Sequence, residues 1–503
     1  MNRKIGAILS YVHMIFEVLS TLLLTPFIIR SLGDAEYGVY KLVIAITSYL
    51  LLLDLGMGNS VVRYVAKYKE NNDMESCGRY IGVCLVFYGI ISLIVILLGG
   101  ALIFSFQDFF AKGLTTAEIV LSKKLLIITV LNAAVTLGTS IFNNILIAYS
   151  KFSLSKGTTI VQIIIRIVVT FIALKMGFGS VAIVTINLVL TILIRGFYAF
   201  YVLVVMKLRP KLKGANAAFI KEIIAYSSFI LLQMVATQIN GYAGQVLIGA
   251  LVTSSSVIIA VYGVGTQIIQ YFESIGHALG GILMPGVVKL VESGASPKQL
   301  QNEMIRIGRY SLTLLGIIFV GFGVNGKAFL MLWVGDGYQR SYYVALMLMF
   351  AHMLIMTSSI GTQILWAKNK HQLQAIIKFV AVVINIFLTV FLIKKEPLLG
   401  AATGTLISLL LSDVLSMNIV FKKEIGISLR EYYIGLFKGI LPCLILSAVA
   451  GILISLLRLN GLLGFALNIV TMVVVYVVAM WLFGFNSGER NMVKGIIGKL
   501  KKG

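Results

Sequence analysis

The sequence predicts an all-α polytopic membrane protein with about fourteen transmembrane helices. These form two pseudo-symmetric six-helix lobes plus two extra C-terminal helices. Three observations lead there. Of the 503 residues, 59% are hydrophobic and only 12% are charged, against roughly a quarter charged in soluble domains. Apolar runs of about 20 residues, the length that crosses a bilayer, recur along the whole chain. A basic segment, Lys207-Leu208-Arg209-Pro210-Lys211-Leu212-Lys213, separates six such runs from the next six.

The composition also excludes several classes. A soluble fold of this size could not hide so much apolar surface, and beyond about 250–300 residues it would split into several cores. Soluble enzymes, DNA-binding domains and disordered chains are therefore set aside. The net charge of +23 fits cytoplasmic loops rich in Lys and Arg, so no nucleic-acid partner is expected. Three cysteines, Cys77, Cys84 and Cys443, are odd in number and fit no disulfide framework or zinc site. No HExxH, GxSxG or Walker loop is present. The chain is expected not to be an enzyme, to hold no metal and to use no ATP.

Taken in order, the expected spans are 5–29, 37–64, 80–104, 121–148, 158–174, 180–206, 219–250, 255–288, 304–332, 342–367, 371–393, 399–421, 434–457 and 461–485. The first begins after Met1-Asn2-Arg3-Lys4 and is too long for a signal-peptide core. With the N-terminus in the cytoplasm, inner segments carry 27 Lys and Arg and outer segments 10. Lys41, Arg166, Arg195, Lys378 and Lys438 remain inside spans. That ratio supports both termini inside. The expected organisation is an N-terminal lobe 1–206, a linker 207–218, a C-terminal lobe 219–422, two helices in 434–485 and a basic cytoplasmic tail 486–503. Ile5, Ile8 and Tyr11 match Ile220, Ile223 and Tyr226 at an offset of 215, which fits two parallel six-helix repeats.

Ionisable groups inside spans cost about 2.5–3.5 kcal/mol each on insertion scales, so each invites an explanation. His13 and Glu17 share a face of the first span with Ser20 and Thr21. Gln162, Arg166 and Thr170 form a stripe on the fifth. Asn187, Thr191, Arg195 and Tyr198 do so on the sixth. Tyr226, Gln233, Thr237 and Asn240 follow on the seventh, and Gln267, Gln270, Glu273 and His277 on the eighth. His352, Ser359 and Gln363 mark the tenth, Gln374, Lys378 and Asn385 the eleventh, and Ser408, Ser412, Asp413 and Ser416 the twelfth. Helical spacing gathers each set on one side. Two readings stand side by side: a shared polar cavity, or hydrogen-bonded glue between helices. His277 and His352 could relay protons, or sit as hydrogen-bonded neutral imidazoles. The third, ninth, thirteenth and fourteenth spans are apolar all round, as lipid-facing helices are. Asp54 lies in Leu53-Asp54-Leu55-Gly56-Met57-Gly58-Asn59, whose glycines allow a bend. Pro26, Pro285 and Pro442 predict kinks.

One segment carries a family pattern: Leu24-Thr25-Pro26-Phe27-Ile28-Ile29-Arg30-Ser31-Leu32-Gly33-Asp34-Ala35-Glu36-Tyr37-Gly38-Val39-Tyr40, followed by Asp54-Leu55-Gly56, Asn59 and Arg63. Trp333-Val334-Gly335-Asp336-Gly337-Tyr338 is a second signature. The chain resembles the polysaccharide flippases of the Wzx type, within the multidrug/oligosaccharidyl-lipid/polysaccharide exporter superfamily. Physically, Gly33 suits a left-handed helix end, Asp34 and Glu36 suit a helix start, and Gly38 permits close helix contact.

The resemblance implies a MATE-like V-shaped transporter that works by alternating access. It implies an undecaprenyl-pyrophosphate-linked oligosaccharide of the capsule, O-antigen or teichoic-acid type as cargo. The bacterial cytoplasmic membrane is the implied location. Membrane lipids, a polysaccharide polymerase and glycosyltransferases of the same pathway are the implied partners. In the similar lipid II flippases, the last two helices form a groove for a lipid tail, and the first helix carries arginines for the pyrophosphate. Here that helix has His13 and Glu17. The pyrophosphate is therefore assigned to Arg166, Arg195, Arg63, Arg30 and Lys378, since guanidinium matches phosphate oxygens bidentately. Gln233, Asn240, Gln270 and Gln363 are assigned to the sugar or the polar cavity wall. Glu17, Asp54, Glu273 and Asp413 are assigned as salt-bridge or coupling acids. No cofactor is expected beyond an H⁺ or Na⁺ coupling ion. The alternative functions are a cation-coupled multidrug exporter of the same fold and a membrane polysaccharide polymerase.

Overall fold

The computed structural model describes residues 3–211, 217–368, 370–457 and 461–500. The linker expected over 207–218 and the tail expected over 486–503 thus fall partly outside the described residues. Among the described residues the fold is helical and no strand forms. The helices are α1 (Arg3–Leu50), α2 (Met57–Glu70), α3 (Met74–Phe110), α4 (Thr116–Gly138), α5 (Ser140–Ala148), α6 (Phe152–Lys175) and α7 (Ser180–Phe200). Next come α8 (Ala217–Leu251), α9 (Ser256–Glu292), α10 (Pro297–Trp333), α11 (Ser341–Thr357), α12 (Ser359–Ala367), α13 (His371–Ile393) and α14 (Pro397–Leu409). The last five are α15 (Met417–Val420), α16 (Leu429–Phe437), α17 (Ile440–Leu456), α18 (Gly461–Ala479) and α19 (Ser487–Leu500).

Packing gathers the chain into two compact units, Met1–Gly263 with Lys378–Gly404, and Val264–Ile377 with Thr405–Gly503. These are units of packing, whereas the lobes expected over 1–206 and 219–422 are divisions of sequence. In the first unit, residues 217–263 are held to the N-terminal helices by specific contacts. Ser255 donates its amide to the Gly113 carbonyl at 2.8 Å. A Cβ on Gly38 would lie 1.8 Å from the Ser256 carbonyl oxygen, so only glycine lets these backbones approach, as expected for that position.

Among the described residues, nine helical stretches are long and apolar enough to cross a membrane. The number is eleven when two bent pairs, Ser341–Thr357 with Ser359–Ala367 and Leu429–Phe437 with Ile440–Leu456, are each taken as one. The expectation of fourteen differs for identifiable reasons. Tyr11–Glu70 forms a single stretch of 60 residues. At 1.5 Å per residue that is about 90 Å, far more than one bilayer core. The spans expected at 219–250 and 255–288 contain side chains outside the described set.

Local breaks fall where the sequence placed them. Gly33 interrupts α1 with φ 75 and ψ 166. Leu55 and Gly56 adopt left-handed conformations (φ 54 and 71), ending a turn over Leu51–Asp54 before α2. The span expected over 37–64 is therefore broken at Leu51–Gly56. Another correction concerns Lys438, which was expected inside a helix. It sits in the break between α16 and α17, beside Gly439 at φ 79.

Lipid-facing character appears where it was expected on α3, α17 and α18. Phe104, Leu456 and Leu463 expose 88%, 69% and 85% of their surface, which an aqueous exterior would penalise and hydrocarbon does not. Leu312, Leu315 and Leu330 of α10 are fully buried, while Leu314, Met331 and Leu332 are exposed.

Candidate functional site

In the first unit the charged groups of the first and fifth expected spans meet. Arg166 of α6 donates from Nη2 to Glu17 Oε1 at 3.1 Å and to Ser20 Oγ at 3.4 Å. Ser20 and Thr21 donate to the Glu17 carbonyl, at 2.9 and 3.0 Å. These bonds fix the polar face of α1 as the i, i+4 spacing implied. The pair is half-exposed, with side-chain exposures of 27% and 44%. His13 lies within electrostatic range of Lys156, Glu17 and Arg166, and Tyr40 within range of Arg166. Among the described residues, only Nη2 of the Arg166 guanidinium is hydrogen-bonded to protein. Arg166 is therefore a cation held by one carboxylate contact.

Arg195 of α7 is half-buried, within electrostatic reach of Asp54. Asp54 accepts from the Tyr88 hydroxyl at 3.2 Å. It ends the short turn Leu51–Asp54, just ahead of the left-handed Leu55 and Gly56. Arg30 and Arg63 are exposed, and Lys378 on α13 is half-buried.

The residues expected to meet sugar divide into two groups. Asn240 is 7% exposed and accepts from Asn385 Nδ2 at 2.6 Å, while Asn385 Oδ1 accepts from Thr389 at 2.9 Å. That chain of bonds within the first unit is interhelical glue, the other reading of such residues. Gln233 is half-buried, with its carbonyl accepting from Thr237 at 2.9 Å. In the second unit, Gln270 is exposed. Gln363 is half-buried, and its Oε1 has no partner among the described residues.

The second unit holds its own acid cluster. Glu273 Oε1 on α9 lies 2.7 Å from His352 Nε2 on α11. Asp413 is buried, accepts from Ser412 Oγ at 2.6 Å and acts electrostatically on His352. It sits in a π-helical turn over Leu410–Ser416, a distortion frequent at functional sites. The same unit contains an apolar cavity of about 380 Å³, lined by Phe272, Phe322, Phe329, Phe465 and Met472 among others.

Sequence reasoning missed two further arrangements. Glu36 was expected to favour the start of its own helix. Instead its Oε1 accepts from the Ser180 amide at 2.6 Å, supplying the negative charge at the N-terminus of α7. The tail was expected as a basic cytoplasmic anchor, and the structure adds that α19 is tied down by Glu489. Arg309 donates Nε to Glu489 Oε1 at 2.7 Å and Nη2 to Oε2 at 2.9 Å. It also donates to the carbonyls of Gly435, Lys438 and Gly484 at 3.1, 2.6 and 2.8 Å. The one available signal was a lone acid, Glu489, among the tail's cations. Outside the spans, Asp73 caps α3 by accepting from the Ser76 amide at 2.9 Å. Hydrogen bonds from Ser76 hold its carboxyl below the usual carboxylate range.

Apolar helices of membrane-crossing length, with charged groups at mid-span, define a polytopic membrane protein. The chain belongs to the family described as "Polysaccharide biosynthesis protein", whose pattern matches residues 4–291. A protein of Shigella flexneri named as an O-antigen transporter is 22% identical over 402 residues, covering 77% of this chain and 90% of that one. An uncharacterised membrane protein of Methanocaldococcus jannaschii is 21% identical over 394 residues, covering 74% of each. Among solved structures, the lipid II flippase MurJ in an inward closed conformation aligns with a TM-score of 0.69 at 14% identity. It covers 95% of this chain and 98% of its own. An inward-facing multidrug resistance MATE family transporter aligns with a TM-score of 0.67 at 14% identity, covering 81% and 94%.

Proposed function

We infer that this protein moves an undecaprenyl-pyrophosphate-linked oligosaccharide repeat unit from the inner to the outer leaflet of the bacterial cytoplasmic membrane. It works by alternating access through a cationic cavity walled in part by α1, α6 and α7. Both termini face the cytoplasm on this reading, in keeping with the Lys and Arg distribution. The carrying observation is Arg166: a half-exposed guanidinium at mid-span with one carboxylate partner.

A diphosphate does not cross hydrocarbon unescorted, because an isolated ion there costs tens of kcal/mol. Fixed cations in a hydrated passage substitute for bulk water. Arg166 offers nitrogens not engaged by the protein, so two phosphate oxygens can be met while Glu17 keeps the side chain aimed. Arg195 serves the same headgroup, and Arg30, Arg63 and Lys378 bring it in and release it. Gln233, Gln270 and Gln363 meet sugar hydroxyls. The apolar cavity lined by α9, α10, α11 and α18 supports a place for part of the polyprenyl tail. Moving about two negative charges outward across 100 mV, inside negative, is favourable by roughly 4–5 kcal/mol.

The experiment is Arg166→Ala in cells that depend on this chain for surface polysaccharide. The variant is expected to insert at wild-type levels and to abolish surface polysaccharide. Unchanged export removes Arg166 from the mechanism. Drug resistance on expression, with no effect on glycan, would favour the multidrug reading instead.

A further inference from the structure

The basic segment that follows α7 does not hang free where it leaves the membrane-crossing stretch. The exposed apolar surface of α7 runs on into a π-helical turn, Tyr201–Val205, where Val204 and Val205 expose more than half of their surface. Lys207 then takes a left-handed backbone, φ 54, and the next side chain turns inward. Leu208 is buried in the same apolar core as Tyr80, Ile81, Tyr198 and Val202. Its amide donates to the Val202 carbonyl at 3.2 Å. Three residues on, the Lys211 amide donates to the Gly78 carbonyl of α3 at 2.8 Å. Residues 207–211 thus form a strap pinned at both ends, within the first unit.

The strap needs glycine beneath it. A Cβ on Gly78 would lie 2.8 Å from the Arg209 carbonyl oxygen, and one on Gly82 would collide with the Lys211 carbonyl oxygen. Gly78 and Gly82 are one turn apart on α3, and the same row continues with Val86 and Ile90. Those two are exposed apolar residues of a stretch long enough to cross a membrane. The strap therefore lies where two exposed apolar surfaces end, that of α7 and that of this row of α3.

Its charge has one sign. Lys207–Lys213 contains four cations and no acid, and Lys207, Arg209 and Lys211 are exposed. Arg79, next to Gly78, is a further exposed cation, donating from Nη2 to Ser76 Oγ at 3.3 Å. The acids at this end of α3 are Asp73, already engaged as a cap by the Ser76 amide, and exposed Glu75. A topology signal needs only a count of Lys and Arg. It needs neither a buried leucine anchor nor two glycines under the backbone. Those features hold guanidinium and ammonium groups in fixed places beside hydrocarbon-facing side chains, which is what recognition of a lipid phosphate requires.

We propose that the strap and Arg79 form a binding site for the phosphate of an anionic phospholipid in the cytoplasmic leaflet, with its acyl chains along Val86, Ile90, Val204 and Val205. The choice of leaflet rests on the orientation given by the Lys and Arg distribution. The site itself does not depend on which cargo is carried.

The test uses full-length protein in detergent micelles, with native mass spectrometry counting bound phosphatidylglycerol against phosphatidylcholine of the same chain length. Wild type is expected to retain phosphatidylglycerol preferentially. Arg79→Gln, Arg209→Gln and Lys211→Gln should each weaken that retention roughly fivefold, the worth of one cation at the membrane surface. Lys422→Gln, at an exposed cation of the second unit, should leave it unchanged. Gly82→Ala keeps every charge but lifts the strap, and is expected to lose the preference as well; Gly78→Ala serves in its place if that variant does not fold. Equal retention of the two lipids by wild type overturns the site, as does an equal loss in Lys422→Gln. Full preference in the Gln variants, or in the folded glycine variant, overturns it too. Retention of undecaprenyl pyrophosphate with no preference for phosphatidylglycerol would make this a cargo entry point and overturn the phospholipid assignment.

Discussion

Removing Arg309 tests whether the C-terminal helix is part of the packed protein. The guanidinium makes five hydrogen bonds within 3.1 Å, two to the Glu489 carboxylate and three to main-chain carbonyls. Both side chains are nearly sealed, at 6% and 4% exposure. Arg309→Met leaves the Glu489 carboxylate buried without its cation, although the Asn486 amide still donates to it at 2.8 Å. It also strips a donor from each of three carbonyls. Breaking a buried pair from one side costs about 3–5 kcal/mol, and the extra carbonyls place Arg309→Met near the upper end. Glu489→Gln keeps the shape and one acceptor, so the loss there is about 1.5–3 kcal/mol, the value of hydrogen bonds to a charged group. Replacing both, as Arg309→Met with Glu489→Leu, removes the uncompensated charge and should recover a large part of the loss. Equilibrium unfolding in mixed micelles, read as a double-mutant cycle, gives the coupling. Limited proteolysis beyond Ser487 should quicken in parallel. An Arg309→Met protein within about 0.5 kcal/mol of wild type would refute the reasoning, since that is the scatter of ordinary surface changes.

Other outcomes follow from the same physics. Gly38→Ala puts a methyl 1.8 Å from the Ser256 carbonyl oxygen, so unfolding should shift by about 1–3 kcal/mol. At Gly33 nothing lies within 4 Å of an added Cβ, so Gly33→Ala should lose only the backbone strain of φ 75 and ψ 166, a conformation essentially confined to glycine, about 1–3 kcal/mol. Asn385→Ala leaves buried Asn240 without its donor and should cost about 1–3 kcal/mol; Leu at both positions should cost less, by the same unfolding assay. Glu17→Gln removes the carboxylate that competes for Arg166. Binding of a pyrophosphate lipid to purified protein should tighten roughly three- to tenfold, the ~1 kcal/mol scale of a half-exposed pair.

Much of this was legible in the sequence because it is periodic or local. Composition and apolar run length define the class, since a bilayer leaves few alternatives to helices. Gly33 and Gly56 mark breaks because a positive φ favours glycine. Glu17 and Arg166 could be paired on paper because each sits at helical spacing within a polar stripe. What stayed hidden depends on contacts distant in sequence. Glu36 reaches the Ser180 amide across 144 residues and Arg309 reaches Glu489 across 180; no spacing rule encodes either. Asn240 looked like a sugar ligand because its type and face are the same as those of glue, and only the partner, Asn385, separates the two. Lys438 looked helical because apolar residues flank it, but Gly439 ends the helix there.

The central claim is that this chain carries a lipid-linked oligosaccharide headgroup on Arg166. The most direct measurement is reconstituted translocation: purified protein in proteoliposomes, a defined undecaprenyl-pyrophosphate oligosaccharide, and lectin accessibility as the readout. Wild type should expose the glycan on the far leaflet, faster with the potential positive on that side, and Arg166→Ala should not, although it reconstitutes equally. Equal translocation by the two proteins, or movement of cationic drugs with none of the lipid, would contradict the account.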